Sequence, residues 1–267
     1  MIEREESRKI KTCCATFYQS DIVRLLLGDV LHPGGLELTG YLGTVIGLSS
    51  EDKVLDIACG RGASAVHLAK RFGCHVTGLD YGQGNIAAAK SHAATESVAH
   101  LTAFKKGDAE GLPFEDGSCN AVISECSFCT FPDKTRVAQE MARVLCRHGR
   151  LGMTDVTING PLPKDIQSLL GWIACLAGAS SPDLYVSILK NAGFTDFIVE
   201  DKRDALLEMV NDVRRKLMGV ELAIGLGKLV LPDINLKEAK HLAQRTMELI
   251  ESGTISYTLF KAGRDGF

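Results

Sequence analysis

From residue 53 onwards, short apolar segments alternate with segments of helical apolar spacing, and this alternation restricts the fold more than any other feature of the sequence. The apolar segments predict strands at residues 53–57, 74–79, 101–106, 120–124, 150–156, 195–200 and 254–261. Helical spacing is found at residues 21–28, 36–47, 63–71, 85–99, 134–146, 164–177, 182–192, 205–226 and 236–251. Strands joined by helices form right-handed βαβ units, so we expect an α/β fold with a mostly parallel sheet and helices on both faces.

The length and the element order indicate one large domain with additions. Residues 1–48 are predicted to form N-terminal cap or lid helices, with a polar and partly ordered lead-in over residues 1–18. Residues 49–267 form the main domain, with helical inserts at about 157–192 and 203–252. A chain of 267 residues is long enough to bury a sizeable core.

Composition excludes several classes of partner. The 30 Lys and Arg residues against 33 Asp and Glu residues give a net charge of −3, which offers no basic surface for nucleic acid. The longest strongly apolar stretch, residues 169–179, is too short to cross a bilayer. The charged N-terminus does not resemble a signal peptide. We therefore expect a cytoplasmic protein, a monomer or homodimer, whose partner is a small molecule rather than nucleic acid or a membrane.

The nine cysteines are the unusual part of the composition. An odd number in a chain without an export signal argues against a disulfide framework, so reduced thiols are expected. Free cysteines are commonly buried as small apolar side chains, and Cys59, Cys74, Cys119 and Cys146 fit that interpretation. Cys126 and Cys129 have C-x-x-C spacing, but a zinc site needs a second pair of ligands, so no resident metal is predicted.

A glycine-containing turn follows the first predicted strand. It reads DIACGRG, from Asp56 to Gly62, and a helix follows directly. Glycines at Gly60 and Gly62 allow a sharp turn and a close approach to a ligand, and the helix directs its first amides to the same place. The third glycine of the dinucleotide fingerprint is replaced by Ala65, which argues against a pyrophosphate ligand.

Carboxylates follow the second and third predicted strands as well. Asp80 is suited to accept hydrogen bonds from the two hydroxyls of a ribose, and Asp108 is suited to an adenine amino group. Ligands of parallel sheets bind at the carboxyl ends of the strands. Three acids at consecutive strand ends therefore indicate one nucleoside site.

The segments VLDIACGRG, VTGLDYG, GDAEGLPFEDGS and TISYTLFKAG together resemble the class I S-adenosylmethionine-dependent methyltransferases. The resemblance covers roughly residues 35–261. It implies a Rossmann-like, mixed seven-stranded sheet with the last strand antiparallel, S-adenosyl-L-methionine as cofactor and S-adenosyl-L-homocysteine as product. The residues that it assigns to the cofactor are Asp56, Ala58, Cys59, Gly60, Gly62, Asp80, Tyr81, Asp108, Ala109 and Glu125.

The placement of the thiols further resembles the arsenite methyltransferases. Those enzymes have a cysteine pair near the N-terminus, a cysteine after the fourth strand ahead of Pro-Asp-Lys, and a cysteine in a helix before Ala-Gly-Ala. Cys13 or Cys14, Cys126 and Cys175 occupy these places. The resemblance implies that three thiolates bind trivalent arsenic as substrate, which suits a soft, thiophilic centre. Cys126 and Cys175 are the predicted catalytic pair.

Two alternatives remain open on the sequence. In the first, the chain methylates an organic small molecule on O, N, S or C, with Glu125 or His32 as polar catalytic groups. Glu125 stands where the arsenite enzymes commonly have Asn, which leaves room for this alternative. In the second, the chain binds the cofactor without transferring a methyl group.

Overall fold

The computed structural model describes residues 4–163, 166, 175–176, 178–226 and 235–264. The strands are β1 Lys53–Ile57, β2 His75–Asp80, β3 Thr102–Lys106, β4 Cys119–Glu125, β5 Leu145–Ile158, β6 Phe194–Asp201 and β7 Ile255–Arg264. The helices are α1 Arg4–Tyr18, α2 Asp21–Leu27, α3 Gly35–Val45, α4 Ala63–Phe72, α5 Gln83–Thr95, α6 Lys134–Val144, α7 Pro182–Asn191, α8 Arg203–Gly225 and α9 Leu236–Glu251. The predicted helix at 164–177 lies almost entirely outside the described residues.

The seven strands form one sheet in the order β3-β2-β1-β4-β5-β7-β6. β1 to β5 pair in parallel, whereas β7 is antiparallel to both β5 and β6. The predicted mixed sheet with an antiparallel last strand is therefore confirmed. The strand order reverses between β1 and β4, which opens a crevice at the carboxyl ends of these two strands.

The core lies in two layers, one on each face of the sheet. Successive side chains of β1 alternate between them: Val54 packs in one layer and Leu55 in the other. The layer with Val54 includes α3, α4 and α5, and the layer with Leu55 includes α6 and α7. Because β1 and β4 are covered on both faces, nearly every residue in them is buried, and not only every second one.

The lead-in expected over residues 1–18 is wrong, because α1 is a regular helix over most of that range. Lys11, Cys14, Ala15 and Tyr18 recur at helical spacing and face the crevice. These side chains are too mixed in polarity to give an apolar stripe. Tertiary contacts position this helix, and apolar spacing in the sequence does not reveal such contacts.

The boundary between α6 and β5 also differs from expectation. The predicted helix at 134–146 ends at Val144, and β5 begins at Leu145 rather than at residue 150. Cys119 pairs with Leu145, but Ala121 pairs with Arg150, so the strand contains a bulge between them. A bulge allows pairing to continue across residues that read as a turn. None of the described helices is both long and apolar enough to cross a membrane.

Candidate active site

One cleft, with about 1080 Å³ of empty space including its open mouth, lies at the carboxyl ends of β1, β2 and β4. The glycine turn, the residues after β4 and the inner face of α1 surround it. The predicted site residues that line it are Cys14, Asp56, Ala58, Cys59, Gly60, Asp80, Tyr81, Asp108, Ala109, Glu125 and Cys126.

The glycine turn has left-handed backbone at alternate residues. Ala58, Gly60 and Gly62 have φ values of 60°, 52° and 79°. A Cβ at Gly62 would lie 2.8 Å from the Cβ of Ala89, so this position requires glycine for space as well as for conformation. Gly62 caps the N-terminus of α4, and the cleft therefore meets the first amides of that helix.

Asp80 connects the turns that follow β1 and β2. One carboxylate oxygen accepts the amide of Gly60 at 2.9 Å, and the other accepts the amide of Gly82 at 2.7 Å and the side-chain nitrogen of Asn85 at 3.1 Å. Burial raises the pKa of Asp80, and these three hydrogen bonds oppose that shift. The predicted ribose acid thus also shapes the cleft.

Asp56 and Glu125 add two buried carboxylates at the ends of β1 and β4. The Oδ2 atom of Asp56 is buried without a hydrogen-bond partner among the described residues. Burial, then the neighbouring Glu125 and Asp80, raise the pKa of Asp56 well above its usual range. A cationic ligand group in the cleft would offset the repulsion between these buried carboxylates.

Glu125 is held by a buried polar network. Its carboxylate accepts the hydroxyl of Thr39 at 3.0 and 3.2 Å, and Oε2 lies 3.5 Å from Nε2 of His32. That His32 nitrogen is also 3.1 Å from Oγ of Ser64, at the start of α4. The network connects the loop between α2 and α3 to the carboxyl end of β4.

Asp108 is engaged by α1. Its carboxylate accepts Nζ of Lys11 at 2.8 and 3.0 Å, and the same Nζ lies 2.6 Å from Oε2 of Glu110. Burial of Lys11 opposes its charge, but the hydrogen bonds to both acids outweigh burial and raise the pKa of the lysine. Any ligand that uses Asp108 must share it with the N-terminal helix.

Two of the predicted thiols meet at the opposite wall. Sγ of Cys126 lies 3.8 Å from Sγ of Cys175, and the hydroxyl of Tyr18 lies 3.3 Å from the Cys175 sulfur. Cys126 and Cys175 both have positive φ, 51° and 64°. Left-handed backbone is uncommon for residues with a Cβ and often marks a functional position.

The environment favours Cys175 as the thiolate of this pair. Hydrogen bonds from Cys126, then Cys129 and Tyr18, lower the pKa of Cys175 well below its usual range, and the charge of Lys134 acts in the same direction against burial. Hydrogen bonding to Cys175 and burial raise the pKa of Cys126. A low-pKa thiolate beside a protonated thiol is a reactive arrangement.

The other predicted thiols are placed differently. Cys14 is half-buried and lines the cleft, and burial, then Cys175 and Cys13, raise its pKa to about 12. Cys13 is exposed and does not line the cleft. The structure therefore brings Cys126 and Cys175 together, keeps Cys14 at the cleft wall and leaves Cys13 outside.

Sequence reasoning missed three groups around the thiol pair: Cys129, Asp155 and Tyr18. The Cys129 amide donates to Oδ2 of Asp155 at 3.1 Å, and Nζ of Lys134 donates to the Cys129 carbonyl at 2.8 Å. C-x-x-C spacing was the available signal for Cys129, whereas Asp155 lies inside a strand and carries none. Within the described ranges, no three His, Cys, Asp or Glu side chains are arranged to hold a metal ion.

Comparison with known proteins identifies the central part of the chain. Residues 55–153 match the family model of the methyltransferase domain. Phosphoethanolamine N-methyltransferase 2 of Haemonchus contortus, solved with S-adenosyl-L-methionine, superposes with a TM-score of 0.80 at 19% identity, over 96% of this chain and 60% of that one. The seven-stranded architecture is thus the class I methyltransferase fold.

Two curated relatives carry different acceptor names. An arsenite methyltransferase of Halobacterium salinarum is 34% identical over 60% of this chain and 41% of its own length. A sarcosine/dimethylglycine N-methyltransferase of Halorhodospira halochloris is 32% identical over 64% of this chain and 61% of its own length. The chain spans less than two thirds of the length of these relatives.

Proposed function

We propose that this chain is an S-adenosylmethionine-dependent methyltransferase of a small molecule, with arsenite or another soft, thiophilic acceptor preferred. The observation that carries the proposal is the make-up of one cleft: acids surround the glycine turn on one wall, and Cys126, whose sulfur lies 3.8 Å from that of the buried Cys175, lines the other. The methyltransferase-domain match, residues 55–153, includes these acids and Cys126.

The cleft fits the cofactor on its own chemistry. S-adenosylmethionine is cationic at its ammonium and sulfonium groups, and the unpartnered oxygen of Asp56 lies among acids that lack a compensating Lys or Arg contact within the described ranges. When bound, the cofactor supplies an activated methyl group. Asp80 would hold the ribose, Tyr81 would border the adenine, and Asp108 with Ala109 would bind its edge. Gly60 and Gly62 allow the backbone to pass close to the methionyl part.

The thiol pair indicates the acceptor. Two sulfurs 3.8 Å apart, one of them favoured as a thiolate, suit a soft centre that exchanges hydroxide for thiolate. Each thiol that replaces a hydroxide on trivalent arsenic loses its proton, which leaves with the hydroxide as water. Cys14 also lines the cleft and is the proposed third thiol. Binding by thiols would hold the arsenic lone pair in place, so the chain contributes chiefly orientation and exclusion of water.

Arsenite titration of the reduced protein tests this acceptor. We expect the wild type to bind arsenite, and we expect Cys126→Ser and Cys175→Ser to bind it at least tenfold more weakly, a loss of about 1.4 kcal/mol per factor of ten. Release of S-adenosylhomocysteine should depend on the presence of arsenite. Cys146→Ser is the matched control, because Cys146 is half-buried but lies at the start of β5, outside the cleft. An affinity for arsenite that is unchanged in both Cys126→Ser and Cys175→Ser would refute the soft-acceptor proposal.

An organic acceptor is the second candidate, and the buried His32–Glu125 pair favours it. These side chains line the cleft beside Cys126 and provide a proton acceptor for a hydroxyl or amine. This candidate predicts that Glu125→Gln reduces turnover of an organic acceptor while Cys126→Ser leaves it unchanged. Cofactor binding without turnover of any acceptor in a broad panel would instead indicate a non-catalytic binding protein.

A further inference from the structure

Tyr18 is the last residue of α1, and it contacts both the cleft and Cys175. Its side chain lines the cleft, and its hydroxyl lies 3.3 Å from the Cys175 sulfur. Cys175 itself is only 3% exposed and is absent from the cleft lining among the described residues. The sulfur that its surroundings favour as the thiolate is thus the more deeply buried of the two.

The position of Tyr18 is defined by contacts near the middle of its helix and just beyond its last residue. Near the middle of α1, Lys11 binds Asp108 and Glu110. Just beyond the helix, the side-chain oxygen of Gln19 accepts the amide of Gly84 at 2.9 Å. The edge of the Phe17 ring packs against Tyr18, with the ring centroids 5.7 Å apart. These contacts fix the tyrosine ring relative to the cleft instead of leaving it on a loose terminus.

The hydroxyl and the ring have separate consequences for Cys175. A hydrogen bond from the hydroxyl stabilises the thiolate form of the sulfur. The Tyr18 side chain lines the cleft whereas Cys175 does not, so we expect the ring to restrict the access of a bulky reagent to the sulfur. Cys126, in contrast, is half-buried and lines the cleft directly.

We propose that Tyr18 is a positioning residue of the acceptor site, whose hydroxyl holds the Cys175 sulfur beside Cys126 and whose ring admits only compact acceptors to that sulfur. Its role in acceptor choice rests on the proposed function. Its shielding of Cys175 does not, and can be measured without any methyl transfer.

Thiol labelling with N-ethylmaleimide, read by peptide mass spectrometry, tests the proposal. Trypsin releases residues 165–190 with Cys175 as their single cysteine, and residues 72–90 with Cys74 as theirs. Cys74 is fully buried in the layer with α4 and serves as the internal reference for general loosening. The variants are Tyr18→Ala, Tyr18→Phe and, as a matched loss of a remote hydroxyl, Tyr41→Phe, since Tyr41 bonds Glu200 on the surface.

The two Tyr18 variants are expected to act in opposite directions. Tyr18→Ala removes the ring and speeds labelling of Cys175 by about tenfold or more, with Cys74 unchanged. Tyr18→Phe keeps the ring but removes the hydroxyl, so less of Cys175 is thiolate and labelling slows by about two- to tenfold. Tyr41→Phe labels like the wild type.

Three results would overturn the proposal: unchanged labelling of Cys175 in Tyr18→Ala, equal acceleration of Cys74 in that variant, or unchanged labelling in Tyr18→Phe. A further arm uses phenylarsine oxide, a trivalent arsenical that binds paired thiols. If it fails to protect Cys126 and Cys175 in Tyr18→Ala, the soft-acceptor function fails while the shielding by Tyr18 stands. Protection that is stronger in Tyr18→Ala than in the wild type supports the ring as a barrier to bulky acceptors.

Discussion

Cys126 and Cys175 show how single residues are specialised here. Each adopts a left-handed backbone, at a cost on the order of 1–3 kcal/mol per residue. The rest of the fold offsets this cost at both positions, and it places the two sulfurs 3.8 Å apart. Because both cysteines of the contact have a strained backbone, we infer that the fold holds the two sulfurs together as a pair.

Asp155 is the residue whose ionisation we expect to influence stability most visibly. Burial, then the nearby Cys175, raise its pKa to about 7, against hydrogen bonds from Cys129 and the Val156 amide. In the unfolded chain an Asp titrates near 3.9, so between about pH 4 and 7 the folded state binds more protons. Stability contributed by the protonated form is therefore lost as pH rises through this window.

Asp155→Asn removes that titration while keeping an acceptor for the Cys129 amide. We expect the free energy of unfolding of the variant, relative to wild type, to increase by about 2–4 kcal/mol between pH 4.5 and 7.5, measured by urea denaturation. Asp116→Asn is the matched control, because the Asp116 side chain is 81% exposed and shows no pH-dependent difference on this scale. A constant difference across the range would contradict the assignment.

At the scale of elements, α1, part of the predicted cap or lid, is attached to the domain through side chains. Lys11 holds it at the Asp108 end of the cleft, and Tyr18 reaches the thiol end. Seven residues of helix separate these contacts, about 10 Å at the α-helical rise. One helix thus contacts both Asp108, the acid proposed to bind the adenine edge, and Cys175 of the thiol pair.

Lys11→Met is expected to loosen this lid without unfolding the domain. The lysine side chain is 13% exposed and binds two acids, so its loss should cost about 1–2 kcal/mol locally. Amide hydrogen exchange in α1 would accelerate about tenfold, while that of β1 and β4 stays unchanged.

Lys9→Met provides the comparison on the same helix. Lys9 is exposed and pairs with the exposed Glu5, so we expect exchange close to wild type. Equal acceleration in both variants would show that Lys11 has no special role in holding α1.

At the scale of the whole molecule, the cleft is assembled from distant parts of the chain. α1, the turns after β1 and β2, and the residues after β4 all contribute to it. These parts meet because the strand order reverses between β1 and β4. A ligand that binds here contacts segments from distant parts of the chain, so its binding should stabilise the domain as a whole.

S-adenosylhomocysteine is therefore expected to raise the melting temperature. At one hundred times its Kd, ligand binding adds about 2.7 kcal/mol, which corresponds to about 5 °C or more for a domain of this size. Asp80→Ala should abolish the shift, since it unpairs the amides of Gly60 and Gly82. A full shift in Asp80→Ala, with Asp116→Ala as control, would contradict the placement of the cofactor.

Much of the fold could be predicted from the sequence. The βαβ alternation, the glycine turn and the acids after successive strands depend on local spacing, and parallel strands necessarily bring their carboxyl ends to one edge. The bulge in β5 and the helical state of α1 could not be predicted, because each depends on a neighbour distant in sequence. Compartment and oligomeric state stay predictions.

The sequence by itself determined the sheet, the cofactor-side acids and which cysteines were candidates. Only the tertiary structure decided which thiols meet: it paired Cys126 with Cys175, kept Cys14 at the cleft wall and left Cys13 outside. It also placed Tyr18 beside Cys175 and Asp155 beside Cys129. The reason is that backbone periodicity is a local property, whereas the distance between two sulfurs separated by 49 residues is set by the packing of the whole chain.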